Sequence, residues 1–558
     1  MMKRLLFFLV CCFPLFSHAE ISLQEEIRSA LKSGEKTILL KQKEYVLEHP
    51  LSLNELNGIV INGNHAKIVM KKNCACLIII KSHDLTVRDL TIDYDPLPYT
   101  QGVVTKVDGK IIECTIDHGY SPAQGIRYSW NCHAFTPDGR FWKKNQKDIY
   151  AEPIPLDQNH MQLRAMSEHP NLKIGDRLAI AKYISDTACI EMRETEHLTF
   201  ENLTIYASPG CVFRGYHCDG DDILKNIVIT RGPLPTEATQ PRLLSSNHDA
   251  VHYGYCRKGA QILNCDFGWM GDDSLNFHGK TSHLAEVTGQ HTFNQIIDGK
   301  ATDSIYLKRF RKGDRIRILD GKNFRILGEY SFISYRWIDK TYPKEVRDAC
   351  FPHLKGRPED IQSTFEITVA EDIKDIKTPC RWDAPDMNCR NFQIANSFFH
   401  DHRAYGLRIM ASDGVVENCR FERIKGPAIA VGAQYSGWGE AGWSDNVVIR
   451  NNSVKECGYS SYAQGAISVF VQLSNYNDIA QGNRNINILD NAIENCSGAG
   501  IFAMAADGVT ISNNRVSDTA LSASTPENPY GFKGLSPIWI LDSKNVIQTN
   551  NNIIQSNH

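Results

Sequence analysis

The sequence predicts an all-β chain wound as a right-handed parallel β-helix, with two inserted small β-barrel-like modules and a short N-terminal capping helix. Three observations carry this. Short β-type runs recur with Asn or Asp near their centre, the intervals between them have the size of a solenoid repeat, and only two long stretches break the pattern.

The runs are closely alike. Val87-Arg88-Asp89-Leu90-Thr91-Ile92 matches Phe200-Glu201-Asn202-Leu203-Thr204-Ile205, and the pattern returns at 262–267, 394–399, 416–421, 449–454 and 511–516. From Asn396 to Asn418 is 22 residues and from Asn418 to Asn451 is 33, periods that strands fill as stacked coils. Asn suits one corner of each coil because it tolerates left-handed backbone and can bond along a ladder of like corners. Leucine-rich repeats also have short periods, but their Leu-x-x-Leu-x-Leu framework is missing. Ahead of the coils, Leu23, Ile27, Ala30 and Leu31 stand at helical spacing before Gly34, so one short helix covers the open end of the first turn.

The two breaks resemble each other. Each holds alternating runs, and Lys173-Ile174-Gly175-Asp176-Arg177 in the first is echoed by Lys312-Gly313-Asp314-Arg315 in the second, so each reads as a small antiparallel barrel extruded from a coil corner. The chain then divides into an export signal (1–19), a cap and first coils (20–98), a first module (99–181), coils 182–278, a second module (279–376) and C-terminal coils 377–558.

The signal rests on Lys3 and Arg4, the apolar run 5–16, and Ser17-His18-Ala19, with cleavage expected after Ala19. The expected mature protein is exported, periplasmic or extracellular, with no membrane partner after cleavage. A formal net charge of −3, without long single-sign blocks, gives no reason to expect nucleic acid. Of 17 Cys, Cys11 and Cys12 lie in the signal, and several others sit beside repeated Asn or Glu in strand-like runs. Buried thiols explain them better than disulfides. Cys74-Ala75-Cys76 is too close for a zinc pair, and no metal or cofactor is expected.

The chemistry concentrates in coils 182–278. Asp249, in Asn-His-Asp-Ala-Val-His, precedes the pair Asp272-Asp273, in Gly-Asp-Asp-Ser-Leu-Asn-Phe-His-Gly, by 23 residues, about one coil. Residues one coil apart lie about 4.8 Å apart on the same face. Clustered carboxylates raise one another's pKa, which a general acid working near neutral pH requires. Corner aspartates or calcium ligands are the alternative; the interval, the flanking His248, His252 and His278, and the module directly after favour catalysis. Glycoside hydrolysis suits the set, since one carboxyl protonates the leaving oxygen and another activates water.

Those two motifs, the segment Asp93-Tyr94-Asp95-Pro96-Leu97-Pro98-Tyr99 and the two modules together resemble family 110 of the glycoside hydrolases, exported bacterial α-1,3-galactosidases known from gut Bacteroides that remove terminal galactose from blood group B-type glycans. The likeness spans essentially the whole mature chain, and the three aspartates are also similar to those of the polygalacturonase clan. It implies Asp272 as general acid, Asp249 and Asp273 holding the attacking water, inversion with acid and base about 6.5 to 9.5 Å apart, and room for a homodimer. For the galactose itself, candidate contacts are His252, His278, Arg408, Trp438 and Glu440. A β-helical lyase is the rival enzyme, but no basic cluster stands beside the aspartates in sequence. A non-catalytic glycan-binding β-helix is the rival from another class.

Overall fold

The computed structural model describes residues 22–120, 129–144, 146–182, 187–351, 362–436, 438–459, 464–474, 476, 478–520 and 536–556. The signal expected over 1–19 lies outside them. Parallel strands stack into three ladders, so each coil is a triangle. The ladder that carries the site runs from Leu51–Ser52 through Val251–Gly254, Leu275–Lys280 and Leu407–Ile409 to Ile538–Leu541. Alternation along each strand decides what faces in. Leu275 and Phe277 enter an apolar column that runs the length of the stack, while Asn276 and His278 face the other way.

The corners work as the repeats suggest, but two adjacent residues divide the task. Asn202, Asn264, Asn396, Asn418, Asn451 and Asn513 adopt φ between 53° and 59°, the left-handed region that Asn tolerates. The residue after each turns inward, and Asn452, Asn491, Asn514 and Asn551 form a ladder in which each amide donates to the next carbonyl oxygen at 3.0 Å. In other coils Cys265 and Cys419 take that inward position. The fifteen described cysteines are free thiols, all buried except Cys74, which is half-buried.

At the start of the stack, helix Leu23–Lys32 is held by a capping box between Ser22 and Glu25 and packs Leu23 and Ile27 against the first coil. Both interruptions are closed antiparallel barrels. The first runs from Tyr99–Asp108 to Arg177–Ala181 and merges its core with that of the coils; the second runs from Ser282–Gly289 to Cys380–Asp383 and has its own core around Phe293 and Trp382. The second therefore extends beyond the expected boundary at 376, because Cys380–Asp383 pairs with both Ser282–Gly289 and Arg315–Leu319. That strand is only four residues long and follows Thr378-Pro379, so alternation could not reveal it. The two Gly-Asp-Arg segments form the same turn. Asp176 and Asp314 each accept the backbone N–H three residues earlier at 2.6 Å, after a glycine at φ 91° and 94°. The ladder closes across both barrels, with Leu77–Ile80 pairing Ile190–Arg193 and Leu275 pairing Leu407.

Candidate active site

Asp249 and Asp273 occupy the same position in successive coils, just before their strands. The register pairs Val251 with Leu275, so the coil partner of Asp249 is Asp273, 24 residues on, and not Asp272. Each carboxylate caps the next coil. Asp249 Oδ1 accepts the N–H of Asp273 at 3.1 Å, and Asp273 Oδ1 accepts that of Tyr405 at 2.7 Å. Asp272 turns the other way at the bend, where 31 % of its side chain stays open and Arg403 Nη1 meets Oδ1 at 2.7 Å. One oxygen from each of the three lies within 4.8 Å of the others. The nearest oxygens are thus closer than the 6.5 to 9.5 Å gap expected between acid and base, because the bend folds Asp272 back over the pair.

Burial first, then Asp272, pushes the Asp249 carboxyl well above the usual carboxylate range. Burial, Asp272 and Asp249 do the same to Asp273. The hydrogen bonds of the histidines say where a proton sits. His278 Nδ1 lies 2.8 Å from the carbonyl of Gly279, so it carries a hydrogen and leaves Nε2 as acceptor. His252 Nε2 lies 3.0 Å from it and 3.2 Å from the Tyr216 hydroxyl; with Nε2 donating to His278, the neutral His252 accepts at Nδ1 from Asp249 Oδ2 at 2.7 Å. Burial holds His252 below its ordinary value and brings His278 down to about 4, which favours neutral rings and a proton on Asp249.

The first barrel reaches this site, which the sequence did not reveal. Asp148 binds Arg403 Nη2 at 2.9 Å and Lys425 Nζ at 2.6 Å, and these two cations hold its carboxyl far below the usual range against the effect of burial. Arg403 therefore bridges the barrel and Asp272. Gly271 permits the approach, since a Cβ there would lie 2.4 Å from the carbonyl oxygen of Asn247 and 3.0 Å from His133 Nε2. The segment 93–99 has a structural task instead: Asp93 clamps Arg242 through contacts of 2.7 and 3.1 Å where the chain leaves for the first barrel.

The expected sugar contacts divide. His252, His278 and Glu440 come together, with Glu440 reached by Asn276 Nδ2 at 3.5 Å. Arg408 pairs with Asn276 one coil on, but it is only 1 % exposed, between the rings of Tyr405 and Phe470 at 5.2 and 5.1 Å, and its three guanidinium nitrogens have no hydrogen-bond partner among the described residues. As the site stands, a sugar cannot touch it. Trp438 is the reverse, 79 % exposed in a hairpin closed by Gln434 and Glu440. Tyr435 anchors that hairpin on Phe324 of the second barrel, their rings 4.1 Å apart and nearly parallel.

With this geometry in place, similar proteins narrow the chemistry. Residues 378–484 match the family model of the right-handed β-helix region. The α-1,3-galactosidase B of Bacteroides thetaiotaomicron is 22 % identical over 525 residues, 90 % of this chain and 79 % of that protein. The α-1,3-galactosidase A of Shewanella woodyi is 21 % identical over 525 residues, 91 % and 80 % of the two chains. The chain is a glycoside hydrolase, similar to these α-1,3-galactosidases over most of its length. Among solved structures, the exopolygalacturonase from Thermotoga maritima is similar at 10 % identity and a TM-score of 0.34, over 94 % of the hydrolase and 86 % of that chain. A score so low adds nothing to what the strand ladders already show. Within the hydrolase, the three carboxylates differ in exposure, with Asp272 the most open and paired with Arg403.

Proposed function

We propose that this hydrolase is an exo-acting, inverting α-1,3-galactosidase that removes terminal α-1,3-linked galactose from glycans, blood group B-type and linear structures among them. The convergence of Asp249, Asp272 and Asp273 carries the reading. The names of the relatives support the choice of bond. Asp272, the most open member, faces the glycosidic oxygen. Asp249 and Asp273 line the floor, each with one oxygen committed to a backbone amide, so they hold a water better than they reach an anomeric carbon.

The proton count closes. In the resting cluster the proton sits on Asp249 while Arg403 pairs with Asp272. Substrate that seals the cleft removes water from Asp272, and the proton passes across the short gap to it. Asp272 then gives this proton to the leaving oxygen, and Asp249, now ionised, takes one from the attacking water, which restores the start. The cluster titrates as a unit throughout.

The close spacing favours a second reading, retention, for which carboxyls about 5 to 5.5 Å apart are usual. Proton NMR of the first galactose released decides: β-galactose supports inversion and α-galactose overturns it. Roles follow from leaving groups. Asp272→Asn should lose about 10²- to 10⁴-fold on an α-1,3-galactosyl disaccharide and far less on nitrophenyl α-galactoside, whose leaving group needs no proton, while Asp273→Asn should lose on both. Equal losses for Asp272→Asn would remove it as acid. Export belongs to the same proposal, and a mature N-terminus other than Glu20 would count against it.

A further inference from the structure

Beside His252 and His278 stands an aromatic recess, with the Tyr216 hydroxyl 3.2 Å from His252 Nε2 and Tyr255 edge-on to His278 at 5.2 Å. Tyr216 and Tyr255 stack at 5.6 Å, Tyr306 from the second barrel meets Tyr255 edge-on at 5.7 Å, and His217 leans on Tyr255 at 5.3 Å. Lys280 Nζ stands 5.9 Å from the Tyr255 ring centre and 5.5 Å from that of Tyr306. Except for the buried Tyr306, these residues are half-buried, so the recess opens to solvent. Its shape depends on Gly254, where a Cβ would lie 2.4 Å from the Tyr216 ring and 2.9 Å from His278 Nε2.

The recess is positive and incompletely bonded. Lys280 stands opposite Glu440 in the strand pairing, yet Glu440 is engaged with Asn276, and Lys280 makes no ion pair among the described residues. Burial brings His217 down to about 4, and the charges that add to the effect, Lys280, Arg309 and Arg193, are all cations. The Tyr306 hydroxyl and His217 Nδ1 are buried without a hydrogen-bond partner. Unpaired buried groups cost stability unless something binds them. Aromatic faces ease an ammonium's desolvation but do not neutralise it. Asp383 and Asp314 act on Tyr306 and Glu440 acts on Tyr255, yet none of them bonds Lys280, the Tyr306 hydroxyl or His217 Nδ1, so what the recess lacks is acceptor oxygens within reach of these groups.

We propose that this recess is a subsite for an anionic substituent, a sulfate ester or a carboxylate, on the sugar adjoining the one released, with Lys280 as counter-ion, Tyr306 and His217 bonding the oxygens, and the Tyr216–Tyr255 stack under the ring. The proposal rests on the galactosidase reading. Lys280 lies two residues beyond His278 on the same strand, about 7 Å along it, which places the anion past the sugar that the histidines would contact.

The test uses α-1,3-galactosyl disaccharides whose second sugar is neutral, sulfated or a uronate, and compares kcat/KM within each protein so that any folding loss cancels. One charge-assisted hydrogen bond predicts about a tenfold preference of the wild type for a charged substrate, shrinking at high salt. The sulfated and uronate arms tell which anion is preferred. Lys280→Met should bring the ratio near one and Lys280→Arg should keep it. A wild-type ratio of one, or a preference that survives in Lys280→Met, overturns the subsite. Release of galactose from none of the three defeats the galactosidase reading instead. Calorimetric titration with the same sugars then decides the subsite: equal affinity for charged and neutral forms overturns it, and tighter charged binding that Lys280→Met abolishes supports it.

Discussion

Asp249→Asn should stabilise the protein and nearly silence it, both for one reason. The side chain is 6 % exposed, accepts the Asp273 amide through Oδ1 and donates to His252 through Oδ2. An asparagine repeats both bonds, its carbonyl accepting and its NH₂ donating, and it carries no charge to bury. The native carboxyl is raised well above its ordinary value by burial and then by Asp272. Folding at neutral pH therefore takes up a proton that the unfolded chain, with an aspartate pKa of about 3.9, does not hold. For a raised folded pKa, stability is fully present below the unfolded value and falls by about 1.4 kcal/mol per pH unit until the folded value is passed. The variant escapes that fall. Its advantage should be nil near the unfolded value and should grow by about 1.4 kcal/mol per pH unit above it until the folded value is passed. Repulsion from Asp272 within 4.8 Å, about 3 kcal/mol at an effective dielectric of about 20, contributes to that rise. Urea unfolding followed by tryptophan fluorescence across this pH range measures the difference, and kcat should drop about 10²- to 10⁴-fold beside it. A variant no more stable than wild type between about pH 6 and 7, or already ahead at about pH 4, would refute the proton on Asp249.

Three other outcomes are expected. Asp148→Asn leaves Arg403 and the buried Lys425 without their shared anion and should cost about 3 to 5 kcal/mol in urea unfolding, with glycan hydrolysis reduced more than nitrophenyl galactoside hydrolysis as Arg403 turns wholly to Asp272; an unchanged ratio of the two rates would detach the barrel from the acid. Arg408→Met removes a buried guanidinium without hydrogen bonds among the described residues and should leave the melting temperature unchanged or raised; a loss of several kcal/mol would show that the charge is satisfied. Trp438→Ala should change stability by less than about 0.5 kcal/mol and raise KM severalfold at constant kcat, whereas an unaltered KM would exclude the exposed indole from the binding surface.

The coils, the capping helix and the aspartate trio were legible because each leaves a periodic mark: Asn at corners, apolar residues at helical spacing, carboxylates about one coil apart. The 23-residue reading of the trio was one residue off, since the bend separates Asp272 from the register that Asp249 and Asp273 share. Arg403, Asp148 and Lys280 left no such mark. Asp148 and Arg403 are 255 residues apart and meet only because a barrel folds back on the coils. Arg408 shows the converse limit. Its place on the site-bearing ladder was readable, but Tyr405 and Phe470, which close it off, come from two different coils.

The ladder closes across both barrels, and this sets an order of events. The strand beginning at Leu275 finds its next neighbour at Leu407, and Asp273 caps the amide of Tyr405, 132 residues further along. A chain that emerges from its N-terminus must hold one coil's edge open while a whole barrel is made. At about 5 to 20 residues per second that wait lasts roughly 7 to 26 seconds. During it Asp272 has no Arg403 and Asp273 caps no amide. The carboxylate cluster is thus completed late, when the coil after the second barrel docks.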